Sequence, residues 1–171
     1  APGDIHESVI VRTLNPGSYT AVVRGKGNSQ GIGLVDAYDL NASNNSKMAD
    51  VSSRGFIETG DKILIGGFIT GNRIGNSNIL VRGAGPSLAG LVPTPLSDPY
   101  LELRDINGTT LSTNDDWQDT QKTEIQNTGI PPTNPKEAAI LANLPPGNYT
   151  VIVQGMGGAT GNAVYEAYNL P

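Results

Sequence analysis

Leu144-Pro-Pro-Gly-Asn-Tyr-Thr-Val-Ile-Val-Gln-Gly155 decides the reading of this chain, because it matches Leu14-Asn-Pro-Gly-Ser-Tyr-Thr-Ala-Val-Val-Arg-Gly25 without a gap, at an offset of 144 − 14 = 130. Between 14–40 and 144–170 the identities fall at 14, 16, 17, 19, 20, 23, 25, 27, 31, 37, 38 and 40. Average composition would give about two such matches. Weaker similarity continues upstream, where Asp4-Ile-His-Glu7-Ser-Val-Ile-Val faces Asn134-Pro-Lys-Glu137-Ala-Ala-Ile-Leu, so the repeated unit spans 4–40 and 134–170.

Each copy reads as three strands. The first, Val9 to Leu14 or Ala139 to Leu144, ends at a Pro-Gly pair suited to a type II turn, with Pro fixing φ and Gly accepting a positive φ, after which the chain turns back as a hairpin. The second alternates Tyr19, Ala21 and Val23 against Thr20, Val22 and Arg24, mirrored by Tyr149, Val151 and Val153 against Thr150, Ile152 and Gln154; the tyrosine face is expected to be buried. A Gly-rich loop follows, then a third strand, Leu34 to Leu40 or Val164 to Leu170.

Working outward, the stretch between the copies supplies strands at Arg54–Ile57, Lys62–Thr70, Ile79–Arg82 and Tyr100–Asp105. Short helical turns are expected at Pro86–Ala89 and at Asp119–Asn127, the second capped by Asp116 and closed by Gly129 and Pro131. With 37% hydrophobic and 5% aromatic residues, 22 Gly and 12 Pro, the apolar content must be spread over short strands between many turns. The fold class is all-β, a sandwich of jelly-roll type with one or two short helical turns. The expected organisation is a partial repeat at 1–40, a polar linker at 41–47 and a sandwich at 48–171 that ends in the second copy. A third of a sandwich cannot bury its own apolar face, so residues 1–40 need the rest of the chain or an open sheet edge on a neighbour.

Eleven basic and sixteen acidic residues give 11 − 16 = −5, and the basic residues are scattered, which argues against nucleic acid and anionic membranes as partners. There is no cysteine, hence no disulfide and no thiolate chemistry. No run of about 18 apolar residues is present to span a bilayer. The start at Ala1-Pro2-Gly3 fits a chain from which a leader was removed, and secretion is expected.

Leu144 to Gly155 with Tyr165-Glu-Ala-Tyr-Asn-Leu170, Leu101-Glu-Leu-Arg-Asp-Ile-Asn-Gly108 with Asn114-Asp-Asp-Trp117, and Leu80-Val-Arg-Gly-Ala-Gly-Pro-Ser-Leu88 together resemble the tandem β-sandwich repeats of large secreted bacterial surface proteins, similar in style to the pre-peptidase C-terminal domain. That resemblance covers nearly the whole chain. It implies an accessory, surface or spacer role outside the cytoplasm, sometimes with bound calcium, and no catalytic residues.

Asp105, Asn107, Asp115 and Asp116 are candidate calcium ligands, since hard cations take several oxygens and two turns could converge across a hairpin; the alternative is a turn at Asp105–Gly108 and a helix cap at Asn114–Asp116. Trp117, beside polar side chains, is a candidate for stacking on a sugar ring or, alternatively, a core residue. His6 has no nucleophile near it, Gly85-Pro-Ser87-Leu-Ala-Gly90 is not a nucleophile elbow, and pairs such as Glu102 with Asp105 arise readily among sixteen acids. The expected function is therefore that of an extracellular structural or adhesive protein, not an enzyme, whose partners are copies of itself joined through strand complementation into filaments or a surface layer. A carbohydrate-binding or calcium-dependent accessory module of a secreted hydrolase, with polysaccharide as partner, is the alternative.

Overall fold

The alternation that marks the second copy is realised as a central strand. In the computed structural model, which describes residues 3–40, 48–71 and 75–171, the elements after residue 48 are β1 (Asp50–Ile57), β2 (Leu64–Thr70), β3 (Ser77–Ala84), β4 (Pro99–Arg104), β5 (Thr110–Asn114), the helix α1 (Lys122–Asn127), β6 (Ala138–Leu144), β7 (Gly147–Gly155) and β8 (Gly161–Asn169). They form two antiparallel four-stranded sheets, one in the order β1-β8-β3-β6 and the other β2-β7-β4-β5. The all-β sandwich expected from the sequence is the fold, with 3-10 turns at Pro86–Leu88 and Met156–Gly158. No helix among the described residues is long and apolar enough to cross a membrane.

β7 runs between β2 and β4, with Val153 opposite both Leu64 and Leu101, and it turns Tyr149, Val151 and Val153 into the core. From the facing sheet, β8 contributes Ala163, Tyr165 and Ala167. Tyr165 is among the largest fully buried side chains, and β2 makes room for it with Gly66, where a Cβ would collide with the ring. A second, smaller core of Leu80, Trp117, Ile125 and Ala139 forms as α1 and its flanking loops cover β3 and β6.

Three local readings are corrected. The Leu144-Pro-Pro-Gly147 connection does not close a hairpin: β6 and β7 belong to different sheets, so the chain crosses from one layer to the other. Neither Gly17 nor Gly147 takes a positive φ; instead Thr70 holds the crossing, its hydroxyl donating to the carbonyl of Pro145 at 2.7 Å and accepting from the Gly147 N–H at 3.0 Å. Asp116 does not cap α1, which begins later, after Gln121, while Gly129 (φ 78) does close it as expected. β5 was not foreseen: its exposed, mostly polar residues carry no apolar alternation.

The chain divides into two units, 1–38 and 39–171. Among the described residues of the first there is no strand, and the expected strands at 9–14, 19–24 and 34–40 form no ladder. The tyrosine face expected to be buried is exposed: Tyr19 is 59% accessible against 8% for Tyr149, and Val23 62% against 0% for Val153. The turns are nonetheless those of the second copy. The Tyr19 hydroxyl donates to the carbonyl of Asn15 at 2.8 Å, as Tyr149 does to Pro145 at 2.9 Å. The N–H of Glu7 donates to the Asp4 carbonyl at 3.2 Å, as that of Glu137 does to Asn134 at 3.2 Å. A 3-10 turn at Lys26–Asn28 matches the one at Met156–Gly158, with φ of 65 at Gly27 and 62 at Gly157. Gly25 and Gly155 are both glycine for one reason, since a Cβ would strike the carbonyl oxygen of Ser29 or Ala159. The linker read at 41–47 lies outside the described residues.

Candidate metal centre

β4 and β5 pair as a hairpin, Leu101 opposite Asn114, so the residues before β4 and after β5 meet at its open end. Asp98 precedes β4 and Asp115-Asp116 follows β5. Each offers a carboxylate oxygen within 4.8 Å of the other two. The Oδ1 atoms of all three are shielded from solvent and accept no hydrogen bond. The Lys136 ammonium, donated by the loop before β6, lies 3.2 Å from Asp98 Oδ2. Burial pushes the Asp115 carboxyl above its ordinary range, the charges of Asp98 and Asp116 add to the rise, and Lys136 opposes it. The same contact with Asp98 raises Lys136.

Such a trio suits a hard cation, which prefers carboxylate oxygens; calcium would draw its remaining ligands, of about six to eight in all, from carbonyls and water. Lys136 supplies part of the same neutralisation by itself. The arrangement brings together only two of the four ligands read from the sequence. Asp105 and Asn107 lie at the other end of β5, a five-residue strand about 17 Å long. There the Asp105 carboxylate accepts from the N–H groups of Asn107 (2.9 Å) and Thr109 (2.8 Å), and Gly108 takes φ 80, which makes the segment a hairpin turn. The Thr109 N–H holds the Asp105 carboxyl below its ordinary range. Asp98 was the ligand missed. Its signal was present in Asp98-Pro99 at a strand start, but the unread β5 hid which residues stood across from it.

Trp117 is not presented to a ligand. Its ring is buried in the second core and its indole N–H donates to the Asn134 carbonyl at 3.1 Å. The other groups singled out in the sequence have partners within the chain. Ser87 Oγ donates to the buried Glu137 at 2.5 Å, and Glu102 pairs with Arg104 at 2.5 Å. His6, exposed, sits 2.7 Å from Asp4. An open, shallow cleft lined by Tyr100, Glu102, Gln154 and Met156 lies along β4 and β7. Neither a protein-family model nor a curated protein matches this chain.

Proposed function

We propose that this protein is a structural or adhesive component outside the cytoplasm, not an enzyme, whose sandwich units join end to end by β-strand complementation with residues 4–40 as the joining piece. The exposure of the N-terminal copy carries the reading. Ile10 is 82% accessible where its counterpart Ile140 is 1%, and Val9, Leu14, Val22, Leu34 and Tyr38 are exposed as well. Each large apolar side chain gains about 1.5–3 kcal/mol on full burial, so this segment is stabilised by any sheet that accepts it. The extracellular setting rests on the resemblance to secreted surface repeats. Deleting residues 1–40 and following the product by electron microscopy and by mass in solution tests the reading. Assemblies should be lost; assemblies of unchanged size would remove this segment as the joint.

A second reading, a calcium-dependent accessory module, is favoured by the Asp98–Asp115–Asp116 trio. Calcium should then raise the unfolding temperature, a chelator should reverse the rise, and Asp98→Asn should abolish the response. A melting curve indifferent to calcium would end this reading. For polysaccharide binding, the Tyr100 cleft is the surface to test by Tyr100→Ala, because Trp117→Ala would cost about 3–5 kcal/mol as a core truncation.

A further inference from the structure

The sheet edges of the sandwich are finished in two different ways. On one side β5 lies over β6, and both resist pairing with another chain. The Gln121 amide donates to the Leu141 carbonyl at 2.8 Å and accepts from the Leu141 N–H at 3.0 Å, and Asn114 Oδ1 accepts from the Ala139 N–H at 2.8 Å, so side chains seal β6. β5 is five residues long and bulged: Leu103 faces Ser112 and Arg104 faces Thr110, which leaves Leu111 unmatched. Short, bulged and capped edges are those that proteins protect. On the other side β1 lies over β2, and among the described residues no further strand pairs with either. β2 has no charge, no proline and no bulge; its outward Ile65 and Ile69 are 60% and 72% exposed, and its inward Leu64 and Phe68 are only partly buried.

The first copy of the repeat carries the strand types that these two edges already pair with. β7 lies antiparallel on β2 and β8 antiparallel on β1; their counterparts are residues 19–24 and 34–40. β7 and β8 belong to different sheets, and the 3-10 turn at Met156–Gly158 joins them. The matching turn at Lys26–Asn28, with its left-handed Gly27, is present in the first copy. It is the turn that sends one strand to each layer. We infer that residues 19–24 and 34–40 form a two-layer clip that adds one strand to β2 and one to β1 of a second copy of this chain. The inference rests on the complementation reading above and names the edges that accept it.

The registers of β7 and β8, carried over to the free edges, match apolar residues with apolar residues. Val22, counterpart of Ile152, stands opposite Ile65 on the outer face, and Ile32, counterpart of Asn162, stands opposite Phe56. All four are exposed, Val22 by 68% and Phe56 by 54%, and each pair covers the other's apolar surface. On the inner face Tyr19 stands opposite Phe68. That ring already stacks on Tyr149 at 5.5 Å, and Tyr19 takes its other flank. The strand at 19–24 presents to β2 the edge that β7 presents to β4, so the alternation of bonded and non-bonded antiparallel pairs is kept.

The experiment follows the full chain over a concentration series, by mass in solution and by amide hydrogen exchange. As the mass rises above that of the monomer, exchange should slow by about tenfold or more at 19–24, 34–40, β1 and β2, with β5 and β6 unchanged. Ile65→Lys with Ile69→Lys should weaken association by about tenfold or more; both residues are exposed, and an unmoved unfolding midpoint confirms that the sandwich remains folded. Adding Val22→Glu, which sets opposite charges across the pair, should recover severalfold of the loss. Leu111→Lys on β5 should change nothing. If Val22→Lys with Leu34→Lys abolishes association while the β2 substitutions leave it intact, the acceptor is not this edge and complementation stands. Association indifferent to both sets, or a monomer with flat exchange at every concentration, would end both readings. Protection of 19–24 and 34–40 in a monomer, independent of concentration, would overturn the second copy as the occupant.

Discussion

The two copies of the repeat have the same turns and opposite fates. Residues 134–170 contribute three strands to the heart of the sandwich, while 4–40 keep the tyrosine-to-carbonyl bond, the glutamate-held turn and the left-handed glycine but form no ladder. The difference separates two kinds of information. A turn is satisfied by groups within a few residues of each other, so it survives alone. A strand of this unit is satisfied only by residues at positions 50–114, so its apolar face stays wet without them.

The comparison can be broken most forcefully at Val153 and Val23. Val153→Asp places a charge between the sheets and should cost more than about 4 kcal/mol, unfolding the sandwich in a urea titration followed by the fluorescence of Trp117. Val23→Asp should move the midpoint by less than about 0.5 kcal/mol; equal losses would mean that the two copies share one environment. Glu137→Gln should cost about 2 kcal/mol by weakening charge-assisted bonds to Gly85 and Ser87, whereas Glu7→Gln should leave the same curve unmoved. Tyr165 sharpens the contrast in the other direction. Its hydroxyl is buried without a partner and burial raises its pKa, so Tyr165→Phe should gain about 1 kcal/mol in the same titration.

The smallest effect is in the acid pocket. Asp115 titrates above its ordinary value of 3.8 in the fold, so between 3.8 and that raised value the folded state holds more protons than the unfolded state. Stability should fall as pH rises through this window and level off above it. Asp115→Asn should remove the slope, and calcium, if bound, should flatten it. Asp105, lowered, contributes a slope of the opposite sign below 3.8, where its stabilisation is lost as pH falls.

Strands with an apolar face were legible because burial imposed period two on them: β4 as Tyr100 to Asp105, β7 as Tyr149 to Gln154. Edges were not. β1 is longer at its start than the apolar residues alone indicate, and β5 is exposed along most of its length, so neither needed a pattern. That one unread strand also obscured the acid trio, since Asp98 and Asp115 become neighbours only through the β4–β5 hairpin. Trp117 was ambiguous for a different reason: a tryptophan among aspartates looks solvated until α1 and the loop to Asn134 fold over it. The layer crossing at Pro145–Gly147 has the local sequence of a hairpin turn, and only the sheet order distinguishes the two.

The N–H of Asn169 donates to the Ala49 carbonyl at 2.9 Å, which sets the end of β8 beside the start of β1. The ends of the sandwich thus lie side by side, and a permuted chain that placed the closing strands ahead of β1 could form the same two sheets. Residues 4–40 stand ahead of β1 in that permuted order, yet the strands that close the sandwich are those of 134–170.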